Sequence, residues 1–200
     1  MKRANRVLAV GLALALLAGC GTFPAIGPQA PALDPVTAQR YQQAVAALHK
    51  GELSHAEAGL RALARSNPEL PGVHANLGVI YRGQGKLKEA EAAFKNAIAV
   101  QRNNARYYNE LGIVYRQQGR FNDAREAYEQ ALILDERYTN ACLNLGILYD
   151  LYLGAPDKAL EYYRRAQAVA GTPDETVTKW ILELEKRPPA AERTAMSERG

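Results

Sequence analysis

Two hundred residues, 48% of them hydrophobic and 23% charged, fit a soluble globular chain with room for one or two domains. The formal charge of +4 includes Lys2, Arg3 and Arg6 at the N-terminal end; without them it falls to about +1, which removes any case from charge for nucleic acid or an acidic surface. Only Cys20 and Cys142 are present, too few and too differently placed for a disulfide framework, and the Ala- and Leu-rich hydrophobic share favours helices over sheets.

The chain opens with a basic segment, Met1 to Arg6, followed by the apolar run Val7 to Ala18. Twelve apolar residues are too few to span a hydrocarbon core ~30 Å thick, so residues 1–19 read as a signal peptide. The run ends in Leu17-Ala18-Gly19-Cys20, which resembles the lipobox of bacterial lipoproteins. The resemblance implies that Cys20 is lipidated, with palmitate-type acyl chains, and becomes the new N-terminus. Gly21 in place of the aspartate that often retains such proteins at the inner membrane implies the outer membrane. Residues 20–36 carry Pro24, Pro28, Pro31 and Pro35, a composition suited to an extended tether. Its stretch from Gly21 to Asp34 could reach ~45 Å.

Three blocks then align at a spacing of 34. Leu77-Gly78-x-x-Tyr81 with Gly85, Ala90, Phe94 and Ala97 becomes Leu111-Gly112-x-x-Tyr115 with Gly119, Ala124, Tyr128 and Ala131. A third copy runs Leu145-Gly146-x-x-Tyr149 and, after one inserted residue, Ala159, Tyr163 and Ala166. Upstream, Gly51, Ala56, Leu60 and Pro68 keep the phase, with Gln43 and Ala47 replacing the Leu and Tyr. The spacing predicts helical hairpins: the i, i+1, i+4 set marks a first helix, a glycine turn follows, and Ala90, Phe94 and Ala97 form a stripe on a second helix. One hairpin cannot bury both stripes, so neighbours must stack around a shared core.

This pattern resembles the tetratricopeptide repeat and implies an all-α solenoid over residues 37–173, in four repeats at about 37–70, 71–104, 105–138 and 139–173. Asp34-Pro35 looks like an N-cap with Pro at the first helical position. Thr172-Pro173-Asp174-Glu175 has the spacing of a capping box for a last helix over 174–187, whose Val177, Trp180, Ile181 and Leu184 share one face. Pro188-Pro189 ends it, and residues 188–200 read as a disordered tail.

In that family the first helices line a concave groove that receives partner segments. By repeat position the groove residues are Val79, Ile113 and Ile147, with Ala75, Asn109 and Leu143 beside them. Arg82, Arg116 and Asp150 follow one turn on, and Gly83, Gln117 and Leu151 complete the surface. Val79, Ile113 and Ile147 could instead pack between helices, because the repeat fixes direction only to within a residue. The Lys and Asn clamp of chaperone-binding relatives is not carried over, since the matching central positions are aliphatic. The expected surface is an apolar strip flanked by two arginines, suited to an amphipathic helix or extended segment.

Other chemistry is not supported. Gly83-Gln84-Gly85-Lys86 lacks both the earlier glycine and the following hydroxyl of a phosphate loop. His49, His55 and His74 share no helix face at ligand spacing, Cys142 occupies a packing position, and Asp157 and Glu161 read as solvated. No cofactor, metal, small-molecule substrate or enzymatic activity is expected. The sequence reading is a lipid-anchored interaction scaffold of the bacterial envelope, at the outer membrane facing the periplasm. It resembles pilotin-type lipoproteins of pilus and secretin assembly; the alternative is an adaptor recruiting peptidoglycan hydrolases or proteases.

Overall fold

The turn glycines set the architecture. In a computed structural model that describes residues 33–187, Gly51, Gly85 and Gly119 all adopt left-handed backbone, φ 77°, 74° and 76°. At each, the next residue's N–H reaches back over the turn: Glu52 to Ala47 O, Lys86 to Tyr81 O and Arg120 to Tyr115 O, each at 2.9 Å. That bond satisfies a helix-end carbonyl and reverses the chain at the same place in every repeat. The inserted residue of the last repeat only lengthens the turn. Gly154 takes the left-handed conformation there, and Tyr149 O accepts from Ala155 N at 2.9 Å.

Among the described residues there are nine α-helices and no strand. The four hairpins are α1 (Pro35–His49) with α2 (Leu53–Ser66), α3 (Pro71–Gly83) with α4 (Leu87–Val100), α5 (Ala105–Gln117) with α6 (Phe121–Leu134), and α7 (Thr139–Leu151) with α8 (Pro156–Ala170). The last helix is α9 (Glu175–Lys186). Each second helix packs on the first helix of its own hairpin and on the helix that follows it, so the chain is a continuous stack of neighbours.

Gly78, Gly112 and Gly146 admit an aromatic ring from the second helix of the same repeat, and not a neighbouring helix backbone. A Cβ at Gly78 would stand 2.8 Å from the Phe94 ring, and one at Gly112 would stand 2.5 Å from Tyr128. Tyr163 fills the same place over Gly146. All three rings are essentially fully buried. Leu60, Ile80, Val114, Leu145 and Leu148 complete the core between them.

The ends also differ in detail. Asp34 caps α1 as expected, accepting from Val36 N (3.1 Å) and Thr37 N (3.0 Å) with Pro35 at the first helical position, so α1 starts before the expected bound of 37. At the other end the cap is Asp174, which accepts from Thr176 N (2.8 Å) and Val177 N (3.0 Å), in place of the expected Thr172. Gly171 at φ 73° closes α8, and Thr172 and Pro173 are used up in the connection. As expected, Val177, Ile181 and Leu184 are buried, and Trp180 lies against Tyr163 with ring centroids 5.4 Å apart. Residues 1–32, with the signal peptide, Cys20 and most of the tether, and the tail at 188–200 lie outside the described residues.

One polar cluster ties adjacent repeats. Glu91 on α4 accepts from Lys95 (2.7 Å), Gln118 (3.1 Å) and Arg120 (3.0 Å), and the Arg120 guanidinium covers the Tyr115 ring at 4.2 Å. Burial opposes its ionisation, but these donors outweigh burial and hold its carboxyl at about 2, below the ordinary 4.5. A depressed carboxyl stabilises the fold above its unfolded-state pKa and loses that contribution as pH falls towards the folded value. The parent should therefore lose ~1–2 kcal/mol between pH 5 and 2 that Glu91→Gln does not, discounting for the exposed Lys95 and Arg120. Urea unfolding midpoints across that range give the comparison, and parallel slopes would contradict it.

Candidate protein-binding groove

Along the stack α3 approaches α5 and α5 approaches α7, whereas no second helix comes as close to the next second helix. The first helices therefore line the inner side of the curve. Gly72, Ala75, Asn76 and Val79 of α3, with Tyr41 of α1 and Arg106, Tyr107 and Glu110 of α5, line a cleft of about 180 Å³. A related cleft of about 330 Å³ lies where α9 takes the place of a fifth first helix, lined by Thr139, Asn140 and Leu143 of α7 together with Pro173 and Val177.

The aliphatic strip stands between its two alternatives. Val79, Ile113 and Ile147 are half-buried: each packs against the core and keeps one edge open. Gln117 is exposed, and so is Leu151, at 65%. Ala75 and Leu143 are half-buried beside the strip. Asn109 corrects the expectation. It is only 2% exposed, because its amide oxygen accepts from Asn144 of the next first helix at 2.9 Å, so it joins α5 to α7 beneath the surface. Tyr41 and Asn76 make the corresponding link between α1 and α3 at 3.0 Å.

The charged row is more nearly neutral than the sequence implied. Arg82 is bound to Glu110 of α5 at 3.1 Å. Asp150 is bound to Arg187, just past α9, at 2.7 Å, and its side chain is 8% exposed, so it offers little free carboxylate to a partner. Arg116 has no salt-bridge partner among the described residues; its guanidinium carbon lies 5.9 Å from the centre of the Tyr152 ring. Glu110, Asn76 and Asn144 were missed by sequence reasoning although Asn76, Glu110 and Asn144 share one position at the 34-residue spacing, one residue beyond the register chosen for the groove.

Residues outside the groove read as packing. His74 is nearly buried, with Nε2 2.7 Å from the Pro68 carbonyl oxygen. Cys142 is fully buried, and burial pushes its thiol pKa up, away from reactivity. Among the described residues no cluster of three or more His, Cys, Asp or Glu is placed to hold a metal, and no helix is long and apolar enough to cross a membrane.

The tetratricopeptide repeat profile matches residues 69–137 and 104–172, together just over half of the chain. The chain belongs to the tetratricopeptide repeat family. Solved structures agree on the fold. PilF of Pseudomonas aeruginosa is 23% identical, with a TM-score of 0.67 over 74% of this chain and 67% of that one. A thermophilic tetratricopeptide repeat protein of Thermus thermophilus is 25% identical, with a TM-score of 0.63 over 74% and 80%. The first tetratricopeptide repeat domain of RPAP3, bound to the HSP90 peptide SRMEEVD, is 20% identical, with a TM-score of 0.54 over 58% and 90%. No curated protein matches the chain by sequence. Tetratricopeptide repeats mediate protein–protein interaction, and this fold is typically a non-enzymatic scaffold.

Proposed function

We propose that this protein is a membrane-anchored scaffold that docks a segment of another envelope protein in the groove of its first helices. The observation that carries the reading is the half-buried strip of Val79, Ile113 and Ile147, continued by exposed Leu151, on the inner face of the stack. An aliphatic strip with open edges suits the apolar side of an amphipathic helix or an extended segment. The peptide bound to the RPAP3 domain supports such use of this fold. Capture from envelope membranes by full-length parent and by the Ile113→Asp variant tests it: partners retained by the parent should be lost from the folded variant. Equal capture by both would overturn the groove.

The anchor is part of the same proposal. Cys20, after its lipobox-like run, carries acyl lipid and holds the protein at the outer membrane, facing the periplasm. At ~0.8 kcal/mol per buried CH₂, two or more chains retain a protein where a single one exchanges. Cys20→Ser should therefore leave the protein soluble or as an unprocessed precursor, and equal membrane retention after a high-salt wash would contradict the anchor. The resemblance to pilotin-type lipoproteins, in size and architecture, favours assembly of a type IV pilus or secretin as the setting. Recruitment of peptidoglycan hydrolases or proteases is the second reading, and the identity of the captured partner separates the two.

A further inference from the structure

In the charged row Arg82 has its own acid, Glu110, and Asp150 is taken by Arg187. Arg116 has none among the described residues. It is half-buried, its Nε is hidden from solvent with no hydrogen-bond partner among the described residues, and no carboxylate of those residues stands within salt-bridge distance. A half-buried guanidinium without a counter-charge gains charge-assisted hydrogen bonds from an arriving carboxylate.

A second observation points to the same place. The Tyr128 ring lies beneath the groove against Gly112 and is fully buried, and its hydroxyl faces Arg116 from behind. The charged groups that act on this hydroxyl are Arg116, Glu110 and Arg82. Burial pushes its pKa up more than Arg116 draws it down, so at neutral pH it keeps its proton and can donate. Arg116 thus presents only donors to the groove, with the Tyr128 hydroxyl buried behind it. Glu110, the acid among the groups acting on the hydroxyl, is held by Arg82. Tyr152 and exposed Leu151 provide apolar surface on the far side of Arg116.

We infer that Arg116, backed by the Tyr128 hydroxyl, receives an aspartate or glutamate side chain of the segment that lies on the Val79–Ile113–Ile147 strip. The inference rests on the groove reading and adds the chemistry of its occupant: an acidic side chain flanked by apolar ones. Guanidinium and carboxylate meet through paired, charge-assisted hydrogen bonds, so the acid gives specificity as well as affinity.

The test is selection of a random phage-displayed peptide library on detergent-solubilised full-length protein. Selected peptides should share an Asp or Glu beside apolar residues. Changing that residue to its amide should weaken binding to the parent about tenfold or more, but to Arg116→Gln by less than about twofold. Tyr128→Phe, which removes only the hydroxyl, should lower the acid-to-amide ratio while leaving the fold intact. Removal of an unpaired cation should leave the unfolding temperature of Arg116→Gln unchanged or higher.

Selected peptides without a shared acid, or an unchanged acid-to-amide ratio on Arg116→Gln, overturn the inference while leaving the groove in place if Ile113→Asp still abolishes their binding. Peptides that bind Ile113→Asp undiminished, or a library that yields none, overturn both. Inorganic phosphate that raises the unfolding temperature of the parent but not of Arg116→Gln, with no acidic peptide selected, assigns the site to small anions and also overturns the inference.

Discussion

Gly112→Leu should cost ~3 kcal/mol or more and come close to unfolding the protein. A Cβ at Gly112 would lie 2.5 Å from Tyr128 Cε1 and 2.6 Å from Cδ1. The ring cannot withdraw, because it is fully buried between Ala124, Ala131 and the neighbouring hairpins. Overpacking of such a site costs ~1–3 kcal/mol for small insertions, and leucine adds three carbons beyond the first contact. Against a total stability of ~5–15 kcal/mol, that is a large share. Tyr128→Ala should itself cost ~3–5 kcal/mol by opening a cavity. The double variant should cost less than the two single effects added, since leucine then occupies space that the ring has left. Denaturant midpoints of the four proteins settle it. A neutral Gly112→Leu, or strict additivity, would contradict the ring-over-glycine packing.

Ile113→Asp should abolish partner capture while the protein stays folded. The energetics depend on its half-buried state. A carboxylate forced into a sealed interface costs several kcal/mol, whereas a fully exposed change stays within about 0.5. At residue 113 the acid keeps an open edge to water and has Arg116 one turn away on α5, so ~1–2 kcal/mol is expected. Leu151→Asp, at a residue 65% exposed, should leave stability within about 0.5 kcal/mol and still weaken capture. Thermal unfolding of both variants beside the capture assay makes the distinction. An Ile113→Asp protein that unfolds would mark the residue as core, and Leu151→Asp would then carry the test alone.

The fold was legible because it is built from local pieces repeated at one spacing. Leu77, Gly78 and Tyr81, their copies 34 residues on, and the alternating Ala and aromatic stripe mark helices, turns and burial without reference to distant contacts. What the repeat could not supply is the rotation between neighbouring hairpins. Arg82–Glu110, Asn109–Asn144 and Asp150–Arg187 all bridge successive first helices or the last helix, and their existence depends on that rotation. Helical phase alone placed Asn109 and Asp150 on open surface; the pairing withdrew both. The cap of α9 moved from Thr172 to Asp174, which accepts from Thr176 N and Val177 N, while Thr172 and Pro173 follow the left-handed Gly171 that closes α8.

The central claim, that partners bind the inner face of the stack, is tested most directly by site-specific photocrosslinking in living cells. A photoreactive residue would replace Gln117 or Leu151 on the groove, and Glu126 on the exposed side of α6 would serve as the comparison. The groove positions should give a common crosslinked partner that disappears when Ile113→Asp is combined with the probe, and Glu126 should not give it. The same partner crosslinked from Glu126, or retained at Gln117 and Leu151 in the presence of Ile113→Asp, would contradict the account.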